Sequence, residues 1–113
     1  MKVIYIAGPY RAESNWQIEL NVRKAEELSL EVWKRGAVPI CPHTMTRFFQ
    51  NELPDETWLK GFIELLRRCD AIFLLPGWER SQGTITEMVF AIDHNMKVLM
   101  DIDDLNLYAG LPK

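Results

Sequence analysis

Apolar and polar positions follow two rhythms along this chain, and they alternate. Lys2 to Ala7 is a near-continuous apolar run of β-formers, the pattern of a strand buried on both faces. Gly8-Pro9 stops it, and Tyr10 to Glu13 reads as a loop. Ser14, with Gln17 three residues on, predicts a capping box. The helix it opens runs to Arg35, with Ile18, Val22, Ala25, Leu28 and Val32 at helical spacing and Gly36 as its C′ stop. Val38-Pro39-Ile40-Cys41 reads as a second, short strand, placed at or near a sheet edge by Pro39.

Pro42 to Phe49 is a strand-end loop passing into an irregular or briefly helical stretch. A helix is predicted from near Asp55 to Arg68, with Trp58, Leu59, Phe62, Ile63, Leu65 and Leu66 as its apolar set. The strand Ala71–Leu75 follows, then a turn at Pro76-Gly77, a polar loop Trp78 to Gln82, and a helix from about Gly83 to His94. Lys97 to Met100 is a fourth short strand. Asp101 to Asp104 ends it, and Leu105 to Tyr108 reads as a last helical turn.

Strands that alternate with helices imply a parallel sheet with right-handed crossovers. The expected fold is α/β: a small flavodoxin-like or Rossmann-like sheet of four or five strands, order 2-1-3-4(-5), with helices on both faces. In that order the switch point lies between the first and third strands. Ligands in such folds bind outside the carboxyl ends of the strands there. The loops at that point are Gly8 to Arg11 and Pro76 to Gly83.

Composition narrows the classes. The chain has 113 residues, which predicts one domain over 1–113, and 48% hydrophobic residues with four tryptophans can bury a core. A formal charge of −3 without a basic stripe argues against a nucleic-acid partner. Cys41 and Cys69 are far apart in apolar contexts and fit reduced thiols of a cytoplasmic protein. The opening strand stands where a signal peptide would, and no apolar run approaches a membrane span, so neither leader nor membrane is expected. No metal site is expected, since no His or Cys partner stands at ligand spacing. No cofactor is expected.

The chemistry concentrates at Ser81-Gln82-Gly83-Thr84-Ile85-Thr86-Glu87. Gly83 and the Ser81 and Thr84 hydroxyls suit a helix start, whose free N–H groups favour an anion. Glu87, one turn further in, is either a nucleophile or base facing the crevice, or a solvated surface residue behind a plain helix cap. Arg11 is either an exposed loop arginine or an anion clamp whose planar fork suits phosphate. His43, at the end of the second strand, is a base or sugar contact or a partly buried loop histidine. Trp78 either stacks on a base at the pocket mouth or packs in an interface. Trp16, Trp33 and Trp58 read as core or oligomer contacts, and His94 as a helix-end cation.

Three stretches together resemble the nucleoside 2-deoxyribosyltransferase superfamily: Tyr5-Ile6-Ala7-Gly8-Pro9-Tyr10-Arg11, Cys69-Asp70-Ala71-Ile72, and Ser81-x-Gly83-x-x-x-Glu87. That group includes 2′-deoxynucleoside 5′-phosphate N-hydrolases and short bacterial and phage domains of unknown function. The chain looks most like the last. Ile40-Cys41-Pro42-His43 and Leu75-Pro76-Gly77-Trp78 add to the likeness, which covers residues 1 to about 100. The resemblance implies that Glu87 attacks C1′ of the sugar and forms a glycosyl-enzyme ester, resolved by water or a second base. It implies that the Tyr5 hydroxyl lies near that nucleophile. It implies that Gly8 lets substrate approach the backbone and that Arg11 and Ser81 bind a 5′-phosphate.

Two departures qualify this. A serine that the hydrolases carry after the first-loop glycine is Pro9 here. An aspartate that the superfamily carries on the second long helix, where it helps the base depart, is Phe62 here. Asp70 reads as a structural residue at the start of the third strand. Glu64 cannot replace the aspartate, because two residues along a helix rotate a side chain by about 200°. The expected activity is hydrolysis or (deoxy)ribosyl transfer at an N-glycosidic bond of a nucleoside or nucleotide. The alternatives are a nucleotide-binding or sensing module with weakened catalysis, and an interaction protein with a vestigial crevice. The resemblance also implies a homodimer or higher homo-oligomer.

Overall fold

The structure is a computed structural model that describes residues 1–49 and 51–110. Its elements are β1 (Val3–Ala7), α1 (Asn15–Lys34), β2 (Val38–Ile40), α2 (Pro42–Met45), α3 (Asp55–Arg67), β3 (Ala71–Leu74), α4 (Gln82–Asp93), β4 (Lys97–Leu99) and α5 (Ile102–Ala109). A 3₁₀ turn, Trp78–Arg80, precedes α4.

The four strands form one parallel sheet in the order β2-β1-β3-β4. This is the expected order, with no fifth strand among the described residues. Pro39 pairs with Ile4 from the edge strand β2. Because strand side chains alternate between faces, β1 and β3 supply two cores. Ile4, Ile6, Ala71 and Phe73 pack with Ala25, Leu28 and Val32 of α1 and Leu105 of α5. Tyr5, Ala7, Ile72 and Leu74 pack with Leu66 of α3 and Ala91 of α4. Each large aliphatic side chain removed from water contributes about 1.5–3 kcal/mol. This alternation puts the Tyr5 side chain on the α3/α4 face of the sheet.

Caps explain where the helices begin. Ser14 caps α1 by accepting from the Gln17 amide at 3.1 Å, half of the expected box. The Gln17 side chain does not return to Ser14. It donates to Asn21 Oδ1 at 3.0 Å, and Asn21 donates to the Tyr10 carbonyl at 3.0 Å, which ties the β1–α1 loop to the helix. Ser81 caps α4, which therefore starts one residue before Gly83.

The expectation for the C-terminal segment needs correction. The aspartate run does more than end β4: it opens α5, three residues earlier than the predicted turn. Asp101 Oδ1 accepts from the Asp104 amide at 2.8 Å, and Asp104 Oδ2 accepts from the Met100 amide at 2.9 Å. With Asp103 also in the first turn, the helix start gains caps and favourable charge together.

Candidate active site

A cavity of about 870 Å³ opens above the carboxyl ends of β1 and β3. Its walls come from the β1–α1 loop, α1, α2, the first half of α3, the β3–α4 loop and the start of α4. This is the switch point expected from the strand order, where neighbouring strands send their connections to opposite faces.

At its foot lies Glu87, only 8% exposed. The solvated-surface reading of this residue is thereby excluded. Tyr5, fully buried in β1, donates its hydroxyl hydrogen to Glu87 Oε2. Burial pushes the Glu87 carboxyl up and the Tyr5 hydrogen bond pulls it part of the way back, which leaves it at about 7. The Tyr5 phenol is held far above its ordinary value, first by burial and then by the charge of Glu87. Tyr5 therefore keeps its hydrogen, and Glu87 is poised between its acid and base forms at neutral pH.

His43 is 5% exposed and lines the same cavity. Its Nε2 lies 2.9 Å from the Pro9 carbonyl, which only accepts, so Nε2 carries the hydrogen. Burial lowers the imidazole below its usual value, opposed by the Pro9 and Gly8 carbonyls. His43 thus stands as a neutral ring bracing the first loop, with Tyr10 edge-on at 5.8 Å between centroids.

Gly8 lines the cavity, and packing alone requires a glycine there. A Cβ at this position would stand 2.7 Å from Leu75 Cβ and 2.8 Å from its Cδ1. Gly77 takes a φ of +91°, a region that favours glycine, and lets the chain turn into the 3₁₀ segment. Ser81 Oγ accepts from the Thr84 amide at 3.3 Å and the Thr84 hydroxyl at 2.8 Å, so its own hydrogen remains available to a ligand. Gly83 lines the cavity beside it, with open space where a Cβ would be.

Arg11 also lines the cavity, but its guanidinium is paired with Asp55, the first residue of α3. The pair is largely exposed. An incoming anion must therefore compete with Asp55 for this arginine. Phe62 lines the cavity together with Trp58 and Leu59 of the same helix. Trp58 lies 6.2 Å from Phe49, also a lining residue, at a tilt of 31°.

The tryptophans exchange their expected places. Trp78 packs against the cluster around Tyr5 and Ile72 instead of lining the cavity mouth. Trp58, expected in the core or an interface, is the tryptophan of the cavity. Its one sequence signal was a place on the same helical face as Phe62, four residues on. Asp70 is at the other end of the sheet, where its carboxylate accepts from the Val3 amide at 2.8 Å. It is structural, as expected. His94 Nδ1 donates to the Phe90 carbonyl at 2.8 Å and is also structural. No group of three or more His, Cys, Asp or Glu able to hold a metal ion occurs among the described residues. No helix among them is long and apolar enough to cross a membrane.

The family described as "Domain of unknown function (DUF7768)" matches residues 2–101. The chain belongs to this family. No curated protein matches the chain. Among solved structures, the chain is similar to a 2-desoxiribosyltransferase from Leishmania mexicana, with a TM-score of 0.63 and 23% identity. The match covers 88% of this chain and 63% of that one, so the chain spans less than two thirds of its neighbour's length. At this identity the likeness carries the fold, and it agrees with the parallel 2-1-3-4 sheet.

Proposed function

We propose that this domain cleaves the N-glycosidic bond of a nucleoside or nucleotide, with Glu87 as nucleophile. The observation that carries the proposal is the buried Glu87 carboxyl, bonded by Tyr5 at the foot of a cavity above the strand ends. The fold shared with a protein named as a 2-desoxiribosyltransferase supports the same chemistry. In the proposed step Glu87 forms an ester with C1′ as the base departs. Water or a second base then takes the sugar from the ester. Tyr5 orients the carboxylate and, by its hydrogen bond, favours the ionised form. Ser81, Gly83 and Arg11 offer donors to the 5′ end of the substrate, and Trp58 and Phe62 offer an apolar face to the base.

The second reading is a nucleotide-binding module in which catalysis is weakened. Phe62 on the cavity wall and the occupied Arg11 favour it. We further propose that the chain works as a homo-oligomer in the cytoplasm. Ile92, Val89, Trp16 and Trp33 leave apolar helix surface exposed, the two cysteines are unpaired, and sedimentation tests the assembly.

The deciding experiment incubates the protein with a panel of nucleosides and 5′-nucleotides. Intact mass and chromatography of free bases are then followed. A sugar-sized adduct or released base, both lost in Glu87→Ala, is expected. Binding without either product supports the binding module.

A further inference from the structure

This inference rests on the N-glycosidic reading and concerns the leaving group. A heterocyclic base departs as a neutral molecule only if it receives a proton or already carries a positive charge. Among the described residues at the foot of the cavity, neither Tyr5 nor His43 has a proton to spare. Tyr5 gives its hydrogen to Glu87. The one ring hydrogen of neutral His43 goes to the Pro9 carbonyl. The other carboxyls that line the cavity, Asp55 and Glu56, are in the first turn of α3, exposed, and Asp55 is held by Arg11. Asp55 is seven residues from Phe62, which is about 10 Å along the helix axis. The part of α3 that packs towards Tyr5 presents Phe62, with Leu59 and Trp58 beside it.

We infer that the site takes N-glycosides whose base is already cationic, such as N-ribosyl pyridinium compounds and nucleosides of 7-alkylated purines. In the first step a Glu87 oxygen forms a bond to C1′, and the C1′–N bond breaks. Its electron pair goes to the ring nitrogen and cancels the charge, so the base leaves neutral with no proton transfer. In the second step a water oxygen takes C1′ from the ester. Glu87 is regenerated as carboxylate, and the water's proton passes to solvent. The wall suits such a base. An aromatic face attracts a cation through its quadrupole, and Phe49, Trp58 and Phe62 supply three rings. Glu56 adds a negative charge in the first turn of the same helix, where Asp55 is already paired with Arg11.

The test compares N-ribosylnicotinamide and 7-methylguanosine with uridine, inosine and guanosine. Each rate of base release is divided by the spontaneous rate of the same compound. General acid catalysis contributes about 10²–10⁴-fold, so the quotient for the cationic pair is expected to exceed that for the neutral set by about 10²-fold. Glu87→Gln should abolish both. Equal quotients, or larger ones for neutral nucleosides, overturn this inference and leave the N-glycosidic reading standing. Release from none of the five overturns this inference, and the panel of nucleosides and 5′-nucleotides above then decides the N-glycosidic reading. Phe62→Asp, read by the same quotients, is expected to raise the neutral set relative to the cationic pair. An unchanged ratio in a folded variant also counts against the inference.

Discussion

The Tyr5 hydroxyl donates to Glu87 across 82 positions of chain, from the middle of β1 to the second turn of α4. Burial and this bond act on the carboxyl in opposite directions. Tyr5→Phe removes the opposing effect and leaves Glu87 without its donor. The ionisation of Glu87 should move above about 7. Any base release should then fall at neutral pH, with its acid limb shifted to higher pH. The lost bond should cost about 1–3 kcal/mol of stability. A pH–rate profile and a denaturant titration check the two effects.

The pH dependence of folding carries the same signature. Glu87 holds its proton up to about 7 when folded, against an ordinary value of 4.5. Between these values the folded protein binds more protons than the unfolded chain. Stability should therefore fall as pH rises from about 4.5, and the full loss should be reached above about 7. A shift of this size corresponds to about 3 kcal/mol. Glu87→Gln keeps an acceptor for Tyr5 but cannot ionise. It should gain stability over the parent at pH 8 and lose that gain at pH 4. Melts across this range check it, and a pH-independent difference would contradict the buried, shifted carboxyl.

Gly8 should tolerate no side chain. Gly8→Ala places a methyl 2.7 Å from Leu75 Cβ, where the sheet end must move. Overpacking of this kind costs about 1–3 kcal/mol. Leu75→Ala should not rescue it, because the nearest atom is the Cβ that alanine keeps. A double-mutant cycle by chemical denaturation reads the coupling directly.

Arg11 and Asp55 should trade partners when an anion binds. The exposed pair is worth at most about 1 kcal/mol, or about fivefold in affinity. Asp55→Asn is therefore expected to tighten binding of a nucleoside 5′-phosphate by up to about fivefold. Arg11→Ala should weaken it without lowering the melting temperature appreciably. Calorimetry at low salt decides. If Asp55→Asn weakens phosphate binding, Asp55 is a ligand contact and does not compete for the arginine.

The sequence by itself determined the architecture. Apolar runs without polar interruption made β1 and β3 central, Pro39 sent β2 to the edge, and the alternation of strands with helices left the 2-1-3-4 order as the simplest answer. These features are local, and local chemistry is legible in a string of residues. The Ser81 cap and the place of the crevice followed from the same reading. The proximity of Tyr5 to Glu87 was implied only by resemblance, since no periodicity links positions so far apart. The tertiary structure alone decided which side chains meet. It paired Arg11 with Asp55, brought Trp58 to the cavity and folded Trp78 away from it. It also decided that Glu87 is buried, the one property that moves its carboxyl to neutral pH. Burial and pairing depend on how separate elements pack, and the spacing of residues within one element does not encode that.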